Sequence, residues 1–219
     1  MTEPEWQTCG DPKLMLEFLK GKASDRKLRL FTCACCRVIW SSLTLKHSRE
    51  AVETAEQFAD GLADGKVLNR AYSLAIEAVG RRAWVADRRR RFVDQPRITK
   101  GYRYLSLAAE AAHVHKPFLI GRLRAVYLDP ELRAIAPGLL REVFGPSPGL
   151  QIFDPSWLTS AVVSLAEGIY TDRAFDRLPI LADASQDAGC EHTDVLNHCR
   201  SDGPHVRGCW VVDLLLGKA

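Results

Sequence analysis

Three times in this chain an aspartate is followed at once by proline, at Asp11-Pro12, Asp129-Pro130 and Asp154-Pro155, each before an apolar-periodic run. The carboxylate caps exposed backbone N–H groups and favours the positive end of a helix. Proline supplies a helical φ where its missing N–H would go unpaired anyway. A chain that spends these residues on helix starts is committed to helices. The three starts open Lys13–Lys20, Leu132–Phe144 and Trp157–Tyr170, with Gly21 stopping the first. They share no longer period, so the chain is not a repeat array.

Periodicity extends the same reading. Ser24 caps a helix running to about Leu43, whose Leu28, Phe31, Cys35 and Val38 follow 3–4 spacing. Leu30, Ala34, Ile39 and Trp40 widen that stripe until the helix is nearly all apolar, which places it at the centre. Ser48 is the expected start of Ala51–Leu62. A long helix from Val67 to about Phe92 ends at Asp94-Gln95-Pro96, and Tyr104–Val114, Pro117–Tyr127, Phe175–Ala188, Thr193–Arg200 and Val206–Leu216 follow. Leu150–Phe153 is too short to anchor a sheet. The expected fold is all-α, roughly nine or ten helices in one irregular bundle or helical array over residues 1–219. Gly145-Pro146-Ser147-Pro148-Gly149 marks a possible subdomain seam at 145–150.

The chain has 219 residues, 47% hydrophobic and 26% charged, enough for a sizeable core and far from the disordered class. It begins without a charged-then-apolar leader, and no apolar run reaches the ~18 residues of a membrane span. The expectation is a cytoplasmic protein that does not engage the membrane, with its seven cysteines reduced.

Three cysteines and three histidines crowd the stretch from Cys190 to Cys209. A zinc reading takes Cys190, Cys199, His205 and Cys209 as ligands, with His192 and His198 as alternates. The spacing lacks the close Cys pair that pins two ligands in one turn. Packing accounts for each cysteine separately. Cys190 follows Gly189, a helix stop, and folds back on the last turn. Cys199 joins Val195 and Leu196, and Cys209 joins Val212 and Leu216, on apolar helix faces. Packing is therefore preferred, with no cofactor and no metal expected. The remaining polar residues His198, Arg200, His205 and Arg207 surround the turn Ser201–Pro204. They are candidates for meeting an anion, though caps and salt bridges are the ordinary use of such residues.

A second cluster is basic. Arg81, Arg82, Arg88, Arg89, Arg90, Arg91, Arg97, Lys100 and Arg103 face only Asp87 and Asp94, a local +7 in a chain of net +3. Trp84, Phe92, Tyr102 and Tyr104 interleave with them, and cations with aromatic faces are the means of nucleic-acid or other polyanion binding. The alternative is a solvated helix end. Cys33-Ala34-Cys35-Cys36 contains a CxxC spacing, but mid-helix in an apolar stripe, which excludes the thioredoxin-like reading. No serine-hydrolase, zincin, nucleotide-loop or dinucleotide motif is present.

Two stretches at the ends look familiar together. Asp11-Pro12 with Met15–Leu19 and Gly21–Phe31 opens the chain; Ala174–Ala184 and Gly203–Lys218 close it. The pattern resembles a large paralogous family of all-helical proteins found mainly in planctomycete bacteria, to which no activity is assigned. The resemblance covers about half of the chain and carries over no catalytic or ligand residue. It implies a bacterial, cytoplasmic interaction or regulatory module. The leading expectation is thus a non-enzymatic helical scaffold with a protein partner, followed by polyanion binding through residues 81–103, then by a small structural zinc site near the C-terminus.

Overall fold

Helix α3, Asp25–Val38, lies at the centre of the first of two packed groups, against the helices Lys46–Ala59, Gln95–Ala111 and Pro130–Phe144. Nine consecutive residues of it, Leu28 to Cys36, are buried, so the helix is surrounded rather than amphipathic, as its widened apolar stripe predicts. In the computed structural model the described residues are 1–88, 95–113, 123–146 and 154–218, with side chains left aside at 82–88, 95–102 and 124.

Among the described residues the fold is all-α, with twelve helices and no strand. Helices α1 (Glu3–Thr8) and α2 (Pro12–Leu19) lead into α3. They are followed by α4 (Lys46–Ala59), α5 (Gly65–Arg88), α6 (Gln95–Ala111), α7 (Arg124–Leu128) and α8 (Pro130–Phe144). Then come α9 (Ser160–Asp172), α10 (Leu178–Asp187), α11 (Thr193–Arg200) and α12 (Trp210–Leu215). Helix α3 packs against α4, α6 and α8, and α9 against α10 and α12.

Local chemistry explains most of the starts and stops. Asp11 and Asp129 accept from backbone N–H groups of the first turns of α2 and α8, at 2.9 Å to Lys13 and 3.1 Å to Glu131. Gly189 takes a left-handed φ of +91°. The N–H of Cys190 then reaches Ser185 O and that of Gly189 reaches Gln186 O, each at 2.9 Å. This paired closure returns the wholly buried Cys190 onto α10. Arg29, buried inside α3, donates to the carbonyls of Ala111 and His113 at 2.6 and 2.9 Å, a cation placed at the open carbonyl end of α6.

Several boundaries differ from the sequence reading. Asp154-Pro155 builds a single 3-10 turn, Pro155–Trp157, and α9 starts later, where Thr159 Oγ1 accepts from Val162 N. Ser48 is not a cap. Helix α4 begins at Lys46, and Ser48 lies buried within its first turn. The long helix α5 is described to Arg88, residues 89–94 of its expected end lie outside the described residues, and Pro96 sits in the first turn of α6, where proline is tolerated.

The buried side chains form two groups. The first is built from α1–α8 and runs to Val143. The second is built from Trp157 onward by α9–α12. The expected seam at 145–150 falls between these two; residues 147–150 of it, and Leu150–Phe153, lie outside the described residues. The ends of the chain fold back on the middle. Trp6 Nε1 donates to Gly145 O at 2.9 Å, and Arg26 of α3 meets Asp213 of α12 at 2.7 Å.

Candidate metal centre

Helix α8 presents Leu132, Ala136, Leu139 and Val143 to the core, and Glu142 falls on the same face. A carboxylate in that position is taken out of water, with its side chain 5% exposed. Burial of this kind demands partners. Glu142 finds them in the C-terminal segment. His198 comes from the last turn of α11, His205 from the loop after it, and Cys209 caps the start of α12.

The donor atoms converge. Glu142 Oε2 is 3.1 Å from His205 Nδ1 and 3.2 Å from His198 Nε2, and the latter is 3.2 Å from Cys209 Sγ. One ligand atom from each of the four residues lies within 4.8 Å of all the others. A zinc ion with bonds of about 2.0 Å to nitrogen or oxygen and about 2.3 Å to sulfur sets tetrahedral edges of roughly 3.3 and 3.5 Å. Three of the six donor spacings, at 3.1, 3.2 and 3.2 Å, fall within about 0.3 Å of those values, and the rest are within 4.8 Å.

Each of these groups has a hydrogen-bond partner, and the polar atoms face one another across a shared centre. The carbonyl oxygen of Ser201 can only accept, so His205 Nε2, at 3.0 Å, carries a proton and donates. The protonated ring, which contact with Glu142 favours, donates from Nδ1 to that carboxylate as well, whereas the neutral ring would aim a lone pair there. His198 Nε2 faces both Glu142 and Cys209 with a single site. The same lone pairs could instead be turned on one cation. The outer contacts suit a metal as well: Ser201 O orients His205, and the N–H of Val206 donates to Glu142 Oε1 at 3.2 Å.

Protonation follows burial. His198 is pushed down to about 4, by burial first, with Glu142 opposing and His205 adding to the fall. His205 is held above its ordinary value; burial acts downward, and its hydrogen bond and charge contact with Glu142 win. The Cys209 thiol is raised far above normal, by burial first and then by Glu142. Without a cation the sulfur therefore stays protonated, whereas a metal would take it as thiolate.

The surroundings are shaped around the centre. The ring of His198 packs edge-on to His205 at 5.0 Å and against Trp210 at 5.3 Å. Trp210 in turn covers Gly145, where φ is +78° and a Cβ would meet the indole at 3.2 Å. A cleft of about 460 Å³ with mixed polar and apolar walls, among them Gln7, Arg141, Asn197, Ser201 and Trp210, borders Glu142 and His198.

The four residues overlap the zinc set of the sequence reading in His205 and Cys209, take in the alternate His198, and add Glu142. Cys190 and Cys199 share the apolar group of α9–α12 with Cys209 but contribute no donor atom to the cluster. Glu142 escaped notice because one glutamate on a helix is ordinary; its position three residues after Leu139 and next to Val143, on an apolar face, was the available signal. His192 lies against Trp157, 6.4 Å between ring centres.

Of the anion candidates, His198 and His205 meet at Glu142, whereas the two arginines turn away to other carboxylates. Arg200 binds Asp183 and Gln186 of α10, both at 2.8 Å, and Arg207 binds Asp60 at 2.9 Å. Of the basic stretch, Arg81 pairs with Glu77 at 2.8 Å and Arg103 donates to Leu128 O at 3.3 Å. The side chains of Arg82, Trp84, Arg88, Arg97, Lys100 and Tyr102, and all of Arg89, Arg90 and Arg91, lie outside the described residues. Cys33, Cys35 and Cys36 are buried with thiols raised by desolvation, unsuited to redox chemistry.

Comparison of the chain with protein-family models, with curated proteins and with solved structures finds no match.

Proposed function

We propose that the protein is a metal-stabilised helical module, in which Glu142, His198, His205 and Cys209 hold one zinc-class divalent ion. The observation that carries this is the convergence of one thiol, two imidazoles and one carboxylate from three separate parts of the chain, with all donor atoms within 4.8 Å of one another and three of the six spacings close to tetrahedral edges. One soft sulfur with two imidazoles selects zinc over calcium or magnesium, which prefer oxygen.

The role is structural. Four protein ligands fill a tetrahedron and leave no position for water or substrate. What the ion joins supports the same reading, because Glu142 belongs to α8 while the other three ligands follow α10 in the chain. The ion then staples the C-terminal helices onto α8, in keeping with a scaffold or interaction module whose partner binds elsewhere. Cobalt(II) titration of metal-free protein tests this. Saturation at one ion per chain, with strong visible bands of a four-coordinate ion bearing one thiolate, is the expected result. Weak bands of six-coordinate cobalt, or a spectrum unchanged by Cys209→Ser, would reject it.

A further inference from the structure

The loop that carries two of the four ligands also joins the two parts of the core. Between His205 and Cys209 three residues leave the centre, and each meets the N-terminal helices. Val206 packs on the first core group. Arg207 Nη2 lies 2.9 Å from Asp60 Oδ2, just beyond α4, with its guanidinium 4.6 Å above the Tyr170 ring. Gly208 accepts a hydrogen bond from Lys27 at 3.2 Å and lies so close to Leu30 that a Cβ would stand 3.0 Å from it.

Asp60 and Asp213 are almost fully buried, at 4% and 1% exposure. Asp60 also accepts from the Tyr170 hydroxyl and faces Arg26 at 3.5 Å. Arg26 grips both oxygens of Asp213, at 2.7 and 3.1 Å, and Lys27 reaches the same carboxylate at 2.7 Å. Lys27 spends its other protons on the carbonyls of Val143 and Gly208. One ion network thus ties α3, the end of α4, α9, the metal loop and α12. Buried carboxylates of this kind depend on every cation placed beside them.

Arg207 reaches Asp60 from a loop only five residues long, anchored at His205 and Cys209. Release of both anchors restores backbone freedom to that loop, and the entropy of the freed segment opposes the ion pair. We propose that occupancy of the centre acts as a latch: the bound ion holds Arg207 on Asp60, and loss of the ion unfastens the loop and α12 from α3 and α4. This rests on the reading of the four residues as a zinc-class centre, and it makes the docking of the C-terminal helices responsive to metal.

Hydrogen exchange of the full chain tests it, comparing zinc-loaded protein with protein stripped by a chelator, with metal content measured on both. Segments 58–62 and 206–216 are expected to exchange at least about tenfold faster once stripped, while α2 changes little. In Arg207→Ala, one zinc per chain is retained, and segment 58–62 of the loaded protein exchanges at close to the stripped rate. Asp60→Asn provides the same test if that variant folds poorly. Equal exchange of 58–62 and 206–216 with and without zinc, at one zinc per chain in the loaded sample, overturns the latch and leaves the centre standing. Failure of the wild-type chain to take up zinc overturns both.

Discussion

His198 Nε2 stands 3.2 Å from Cys209 Sγ, eleven residues along the chain, and at the same distance from Glu142 Oε2 on another helix. A protonated nitrogen there has one hydrogen to share between sulfur and carboxylate, and a neutral one only a lone pair. The proposed metal ion would serve all three at once.

If the ion is bound by these four residues, substitutions divide the C-terminal cysteines cleanly. Cys209→Ser and His198→Gln should lower zinc affinity by more than about 100-fold, because each removes a direct ligand where loss of an outer contact alone costs about 10–100-fold. Cys190→Ala and Cys199→Ala should keep one zinc per chain and lose only about 1–2 kcal/mol of stability from packing. Competition titration with a chromophoric chelator reads the first effect and urea unfolding the second; loss of zinc from Cys199→Ala would assign the ligands differently.

Stability of the metal-free protein should fall with acid. His198, held at about 4 against an ordinary 6.5, is kept neutral by folding. Its contribution is complete above about pH 6.5 and lost as pH drops toward 4, on the order of 3 kcal/mol in all. His205 works in the opposite sense. Its raised value contributes stability below about pH 6.5 that disappears as pH rises through that value. Urea midpoints of metal-free protein between pH 7 and 4 should therefore slope downward with acid, and His198→Gln should flatten the slope. Parallel profiles would contradict this account of His198.

Gly208→Ala should be costly beyond its size. The residue has φ +94°, and a Cβ there would press on Leu30 at 3.0 Å. Backbone strain and overpacking together predict a loss of about 2–3 kcal/mol, with weaker zinc binding because Cys209 is the next residue. Thermal unfolding and zinc titration of the same variant check both effects.

The ion pairs should separate by burial. Asp213→Ala leaves Arg26 and Lys27 without their shared buried carboxylate and should cost about 3–5 kcal/mol. Arg200→Ala breaks a pair whose side chains are 42% and 71% exposed, and should cost less than about 1 kcal/mol. Denaturant unfolding of the two variants side by side makes the comparison.

Much of the fold was legible because its signals are local. Caps at Asp11, Ser24 and Asp129, the Gly189 stop and the apolar stripe of Leu28–Cys36 act within one or two helical turns. Boundaries failed where the deciding partner was less obvious, as at Ser48, which is buried instead of capping, and at Asp154, where a second cap at Thr159 claims the helix. The centre was half legible. His198, His205 and Cys209 stand within twelve residues, but Glu142 lies 56 residues before His198 and is recruited only by the packing of α8 against the C-terminal segment. Long-range convergence has no spacing to read.

Metal content is the most direct measurement of the central claim. After equilibration with zinc and removal of free metal by gel filtration, elemental analysis should find one zinc per chain in the wild-type protein and almost none in Cys209→Ser. Well under one zinc per chain in the wild-type protein would contradict the assignment of Glu142, His198, His205 and Cys209 as a metal centre.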